Sequence, residues 1–104
     1  MMSRIESLRQ NQLSARRAAA TRAASLALKH LHERGVEASL IGSLKSGSFD
    51  FHSDVDILVT ECPAHLIYAV EAELEDIMGG ISFDVVYLNL LAEEKRARWL
   101  SHAQ

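Results

Sequence analysis

Asp54 and Asp56 stand two residues apart in the stretch Ser53-Asp54-Val55-Asp56-Ile57-Leu58-Val59. On a strand that spacing sends both carboxylates to one face, roughly 7 Å apart at the backbone. Val55, Ile57 and Val59 then take the opposite face, which must be the core. Two carboxylates so close repel each other, and one is driven toward protonation unless a cation sits between them. Magnesium is the usual answer, a hard ion held by one or two carboxylates together with substrate phosphates. Asp84 interrupts a second apolar run, Ser82–Leu88, in which Phe83, Val85 and Tyr87 face the other way. If the two runs are neighbouring strands, three carboxylates converge on one face. That is the layout of a two-metal phosphoryl- or nucleotidyl-transfer site, whose ions sit roughly 3.5–4 Å apart. Gly42-Ser43 supplies the other half of such a site, with ten residues between it and Asp54. A glycine lets a phosphate approach the backbone, and exposed amides with a serine hydroxyl can grip its oxygens.

The elements needed to position these residues are legible in the same chain. Ser3-Arg4-Ile5-Glu6 fits a capping box, so a first helix can start at Ser3. Ala20, Ala24, Ala27, Leu28 and Leu31 fall at helical spacing, and Gly35 can close the helix. The stripe is weak before residue 20, where Arg16 and Arg17 interrupt it, so residues 1–19 read as a frayed arm or a helix face awaiting a partner. Glu37–Ile41 reads as a short strand, followed by a polar loop from Leu44 to Ser53. Asp54–Val59 is the second strand. Pro63 suits the first position of a helix whose apolar face is Leu66, Ile67, Val70, Leu74, Ile77 and Met78, ended by Gly79-Gly80. Ser82–Leu88 is the third strand, and Ala92 to about His102 a last short helix packing through Ala92, Trp99 and Leu100. Strand two, helix and strand three form a crossover unit, whose strands should be parallel with a right-handed connection. The expected fold is α+β, a small mixed sheet packed with helices, in a single domain over residues 1–104.

Composition and charge set the boundaries of function. The chain has 104 residues, 48% of them hydrophobic and 24% charged, enough for a real core and unlike a disordered segment. Cys62 is the only cysteine, which excludes an internal disulfide or a multi-cysteine zinc site and suits a cytoplasmic protein. No run reaches the length of a membrane span, and the start lacks the apolar core of a signal peptide. Net charge is −3 but unevenly spread: residues 1–34 carry +5, residues 35–92 carry −9 and the last twelve +1. An acidic body is a poor surface for nucleic acid, because phosphate attraction dominates that affinity, and a suitable one for a cation.

Gly42-Ser43, Ser53-Asp54-Val55-Asp56-Ile57-Leu58-Val59 and Phe83-Asp84-Val85-Val86 together resemble the minimal nucleotidyltransferases of the polymerase-β superfamily. The resemblance covers about residues 20–90. It implies magnesium-dependent transfer of a nucleoside monophosphate, usually AMP from ATP, onto a hydroxyl. By that resemblance Asp54 and Asp56 hold two magnesium ions, while Asp84 holds the catalytic one and helps deprotonate the acceptor. Gly42, Ser43, Lys45 and Ser53 are the corresponding nucleotide-binding positions. Many such single-domain proteins are antitoxins of HEPN-type ribonuclease toxins, some of which they silence by adenylylating a tyrosine. Family loops often read Gly-Ser-x-Ala-Arg-Gly; here the stretch is Gly42-Ser43-Leu44-Lys45-Ser46-Gly47, with serine in the arginine's place. Lys45 then supplies charge to the phosphates as a point and not as a fork.

Three functions are compatible with this pattern. The first is a protein adenylyltransferase acting as an antitoxin. The second is the same fold neutralising a toxin by binding alone, its site decayed. The third is a small-molecule nucleotidyltransferase of the aminoglycoside-modifying kind, which the roughly sixteen residues after strand three disfavour, being too few to enclose a drug. An acceptor must then be brought by a partner or by a second subunit. The five histidines show no zinc spacing, and Arg96 with His102 only weakly imitates a ribonuclease pair in a chain whose strands contradict an all-helical fold.

Overall fold

The computed structural model describes residues 3–91, 93 and 94. Of the expected terminal helix, Ala92 to about His102, only residues 93 and 94 are described, both helical; Arg96, Trp99, Leu100 and His102 lie outside the described residues. The architecture is α+β; the elements among the described residues are three α-helices and a three-stranded mixed sheet. Helix α1 (Arg4–Glu33) starts at the expected capping box: Glu6 N–H donates to Ser3 Oγ and Ser3 N–H to Glu6 Oε2. Its buried residues are Ala20, Ala23, Ala24, Ala27 and Leu31, all in its second half. Small side chains there let the helix lie close against the sheet. The first half is therefore helical throughout, not frayed, and it projects beyond the packed body.

Strands β1 (Glu37–Ile41), β2 (Val55–Glu61) and β3 (Phe83–Tyr87) lie in the order β1-β2-β3. β1 pairs antiparallel with β2, and β2 pairs parallel with β3, as the crossover through α3 (Ile67–Met78) requires. One bulge separates Glu37↔Glu61 from Ala38↔Val59, leaving Thr60 as the extra residue, and its hydroxyl donates to the Glu37 carbonyl. Pro63 precedes a 3-10 turn, Ala64–Leu66, and α3 begins only at Ile67. Val70, Leu74 and Met78, spaced by four, are the buried stripe of α3, and Gly79 ends it with φ +58°. Short helix α2 (Gly42–Ser46) occupies the start of what reads from sequence as loop.

Each sheet face has its own apolar cluster. Val55, Ile57, Val59, Phe83, Val85 and Tyr87 point into the main core beneath α1 and α3. Ile41, Leu58 and Leu88, with Val86 and Leu91, form a smaller cluster on the other face, beside the acids. Cys62, at the end of β2, is fully buried, and burial pushes its thiol pKa up. Asn89 clasps the same point, donating to the Cys62 carbonyl and accepting from its N–H. No helix among the described residues is long and apolar enough to cross a membrane.

Helices α1 and α3 are tied by Glu73, which accepts from the His30 ring and from Arg34 Nη2 at 2.7 Å. These two partners hold the Glu73 carboxyl below its ordinary range, the His30 hydrogen bond contributing most. A depressed acid stabilises the fold above its unfolded pKa and loses that contribution as pH falls through its folded pKa. Glu73→Gln should therefore lower stability at neutral pH but not at strongly acid pH. Denaturant midpoints across that range check this, and a pH-independent difference would contradict it.

Candidate active site

The strand register builds the site. Asp56 is paired across β2–β1 with Ile41 and across β2–β3 with Asp84, so Ile41, Asp56 and Asp84 form one row across the sheet. Partners in a parallel pair sit about 4.8 Å apart and share a face. The next row on that face, Ser39, Leu58 and Val86, gives the acids an apolar neighbour. Asp54 immediately precedes β2. The Asp56 carboxyl is raised above its ordinary value by partial burial first, then by repulsion from Asp84 and from Asp54. Asp56 thus feels both of the other predicted acids.

Their convergence is looser than the sequence predicts. Among the described residues no group of three Asp, Glu, His or Cys side chains closes into a ready cage for a metal ion. The reason is electrostatic: drawing three like charges together is unfavourable until a cation offsets it. Asp84 is exposed on the edge strand, and Asp54 and Asp56 are half-buried, so the side chains have room to close. An all-oxygen set, partly open to solvent and with one member pushed toward protonation, fits a hard cation such as magnesium.

Gly42 adjoins this row directly. It has φ +78°, and a Cβ built on it would overlap Asp56 Oδ2 and lie 3.2 Å from Asp56 Cγ. No other glycine in the chain has any atom within 4 Å of such a Cβ. The backbone at Gly42 thus comes as close to the Asp56 carboxylate as the absence of a side chain permits. Ser43 follows, half-buried in α2, and its carbonyl receives the Gly47 and Ser48 N–H groups, which curl the loop back on itself. Lys45 is exposed in the same helix. Ser46, where a family loop would carry arginine, donates to the Ser43 carbonyl at 3.3 Å and bonds the Ser48 hydroxyl at 2.8 Å. It serves the turn.

Ser53 is engaged elsewhere as well. Its hydroxyl donates to Asp50 Oδ1 at 3.1 Å and accepts from the Asp50 N–H at 2.9 Å, while His52 N–H donates to the same carboxylate oxygen. These bonds, the His52 amide foremost, hold the Asp50 carboxyl below its ordinary range. Asp50, His52 and Ser53 therefore make a closed polar turn that delivers the chain into Asp54. Ser53 acts on the site by placing Asp54, and the structure does not bring its hydroxyl to Gly42-Ser43.

Two supports have no obvious sequence signal. Phe49 is buried in the main core in the middle of a polar loop. Arg17, read from sequence as a break in the α1 stripe, donates from Nη2 to the Phe49 carbonyl at 3.0 Å. Together they pin the segment between Gly42 and Asp54 to the body. Two aromatics in a polar loop, Phe49 and Phe51, were the available hint, though only Phe49 is buried; Arg17 offered none. Compared with protein-family models, with curated proteins and with solved structures, the chain finds no match in any of the three.

Proposed function

We propose that the protein is a nucleotidyltransferase that moves AMP from ATP to a hydroxyl of a partner protein, a tyrosine of a HEPN-type ribonuclease toxin, and so acts as an antitoxin. The observation that supports this best is the Asp56–Asp84 row with the Gly42 backbone against the Asp56 carboxylate. Asp54, Asp56 and Asp84 would hold magnesium, which when bound neutralises charge at the phosphoryl oxygens. Gly42 and Ser43 offer backbone N–H groups and a hydroxyl to the triphosphate, and Lys45 adds positive charge. Asp84, exposed at the sheet edge, takes the proton from the acceptor hydroxyl. The hydroxyl oxygen bonds to the α-phosphorus, and pyrophosphate leaves. The acidic body favours a protein acceptor over nucleic acid.

A second reading, neutralisation of the toxin by binding alone, has its own support. The position that carries arginine in the family is Ser46, committed to the loop's internal bonds. The two readings separate in one experiment. The protein is incubated with ATP, magnesium and a small helical HEPN-type ribonuclease encoded next to it, the partner this reading requires, and the intact mass of that partner is measured. Transfer adds one AMP increment or several. An unchanged mass, with toxicity still suppressed, would establish the binding reading instead.

A further inference from the structure

We propose that the N-terminal half of α1 docks on the acidic outer face of α3 in a second copy of this chain, so that two chains exchange arms. Among the described residues the arm has little to pack on before Arg17. The molecule measures 51 × 29 × 17 Å, and its radius of gyration is 15.4 Å, against about 13 Å for a compact chain of this length. Yet the arm presents Ile5 at 67% and Leu8 at 53% exposure. On a helix Ile5, Leu8, Arg9, Gln12 and Arg16 share one face, two apolar residues followed by two arginines. The packed half of α1 nucleates the arm, but most of a helix's stability comes from packing an apolar face, and a partner surface would supply that for the arm.

Charge identifies the partner. Residues 35–92 carry −9, and the first 34 carry +5. The one surface certain to accompany every arm, and of opposite sign to it, is the body of another copy. Within that body the outer face of α3 repeats the arm's pattern in complementary form. Tyr68 stands 86% exposed, and Glu71, Ala72 and Glu75 follow it at helical spacing, with exposed Asp76 alongside. An aromatic surface meets Ile5 and Leu8, and carboxylates meet Arg9 and Arg16. Nucleic acid is the weaker occupant for the arm, because the body beside it repels phosphate. Pairing arm to arm sets arginine against arginine. Reciprocal exchange closes the assembly at two subunits and doubles the area that one arm buries, toward the roughly 1,200 Å² of a stable interface.

Sedimentation velocity on the full chain across protein and salt concentration tests this. The expected result is a dimer whose dissociation constant rises at least tenfold between low and high salt. Leu8→Asp should convert it to monomer. The paired swap Arg9→Glu with Arg16→Glu should do the same, as should Glu75→Arg with Asp76→Arg, and all four in one chain should restore the dimer. Arg17 and Glu71 are left intact, since they bond Phe49 and Tyr87. A wild-type chain that stays monomeric at every concentration would overturn the proposal, leaving the arm to another partner. So would a dimer broken by the arm variants but indifferent to Glu75 and Asp76, which would mean that arms pair with arms.

Discussion

Asp56→Asn or Asp84→Asn should lower AMP transfer a hundredfold or more while the protein stays folded. Either change keeps side-chain volume but removes a charge from the row that would face the phosphates in the proposed reaction. Lost electrostatic stabilisation of a transition state is typically worth roughly 3 kcal/mol, which is a hundredfold in rate. Stability should move the other way. Asp56 has a raised carboxyl in the folded protein, chiefly from burial and then from Asp84 and Asp54. An acid whose folded pKa lies above its unfolded value destabilises the fold above that folded pKa, and the penalty fades as pH falls toward the unfolded value. Asp56→Asn should therefore raise the denaturation midpoint of the metal-free protein at neutral pH, and the gain should vanish on acidification. Transfer measured by intact mass and unfolding measured across pH give two independent readings. A variant that is inactive because it is unfolded would contradict the stability half, and full activity in Asp84→Asn would end the catalytic assignment.

Gly42→Ala should damage both fold and site, and more than its single methyl suggests. A left-handed φ costs a non-glycine residue about 1–2 kcal/mol. The new Cβ also overlaps Asp56 Oδ2, so the carboxylate must rotate away. A misplacement of about 1 Å at a reacting centre can cost a hundredfold in rate. The expected result is a modest fall in the denaturation midpoint together with a fall in transfer far larger than that loss explains. Gly47→Ala is the control: it has the same sign of φ, +85°, but nothing within 4 Å of its Cβ. It should lose stability alone. Equal loss of transfer in both variants would mean that the approach to Asp56 has no special role.

Much of this was legible in the chain, because the signals were local and redundant. The capping box at Ser3, the spacing of Val70, Leu74 and Met78, and the alternation around Asp56 and Asp84 each follow from one element's own periodicity. The parallel pairing of β2 and β3 followed from the helix between them. What was missed depends on contacts between elements. Phe49 appears as a loop residue until the core beneath it is seen, and Arg17 as a break in a stripe until the Phe49 carbonyl is seen. Ser53 is next to Asp54 in sequence, yet its hydroxyl turns back to Asp50, which no spacing rule foretells. The continuous first half of α1 was undecided for the same reason, since its stripe names no partner in the sequence.

The parallel pairing of β3 also decides where the molecule gives way. Asp54 and Asp56 belong to the antiparallel β1–β2 unit, whose connection is local in sequence; β3 arrives only after α3 has crossed over. It brings Asp84 as the third charge, so the Asp56–Asp84 part of the acids' repulsion, the part between strands, is felt at the β2–β3 seam. Among the described residues β3, like β1, has one neighbour, but its pairing is the one closed over the longer connection. Local openings are drawn from the least stable units of a fold. The amides joining β2 to β3 should then exchange with solvent sooner than those joining β1 to β2, and a bound cation should slow the first set selectively. The same row that gathers the chemistry makes its own hinge of weakness, one that substrate and ion would lock.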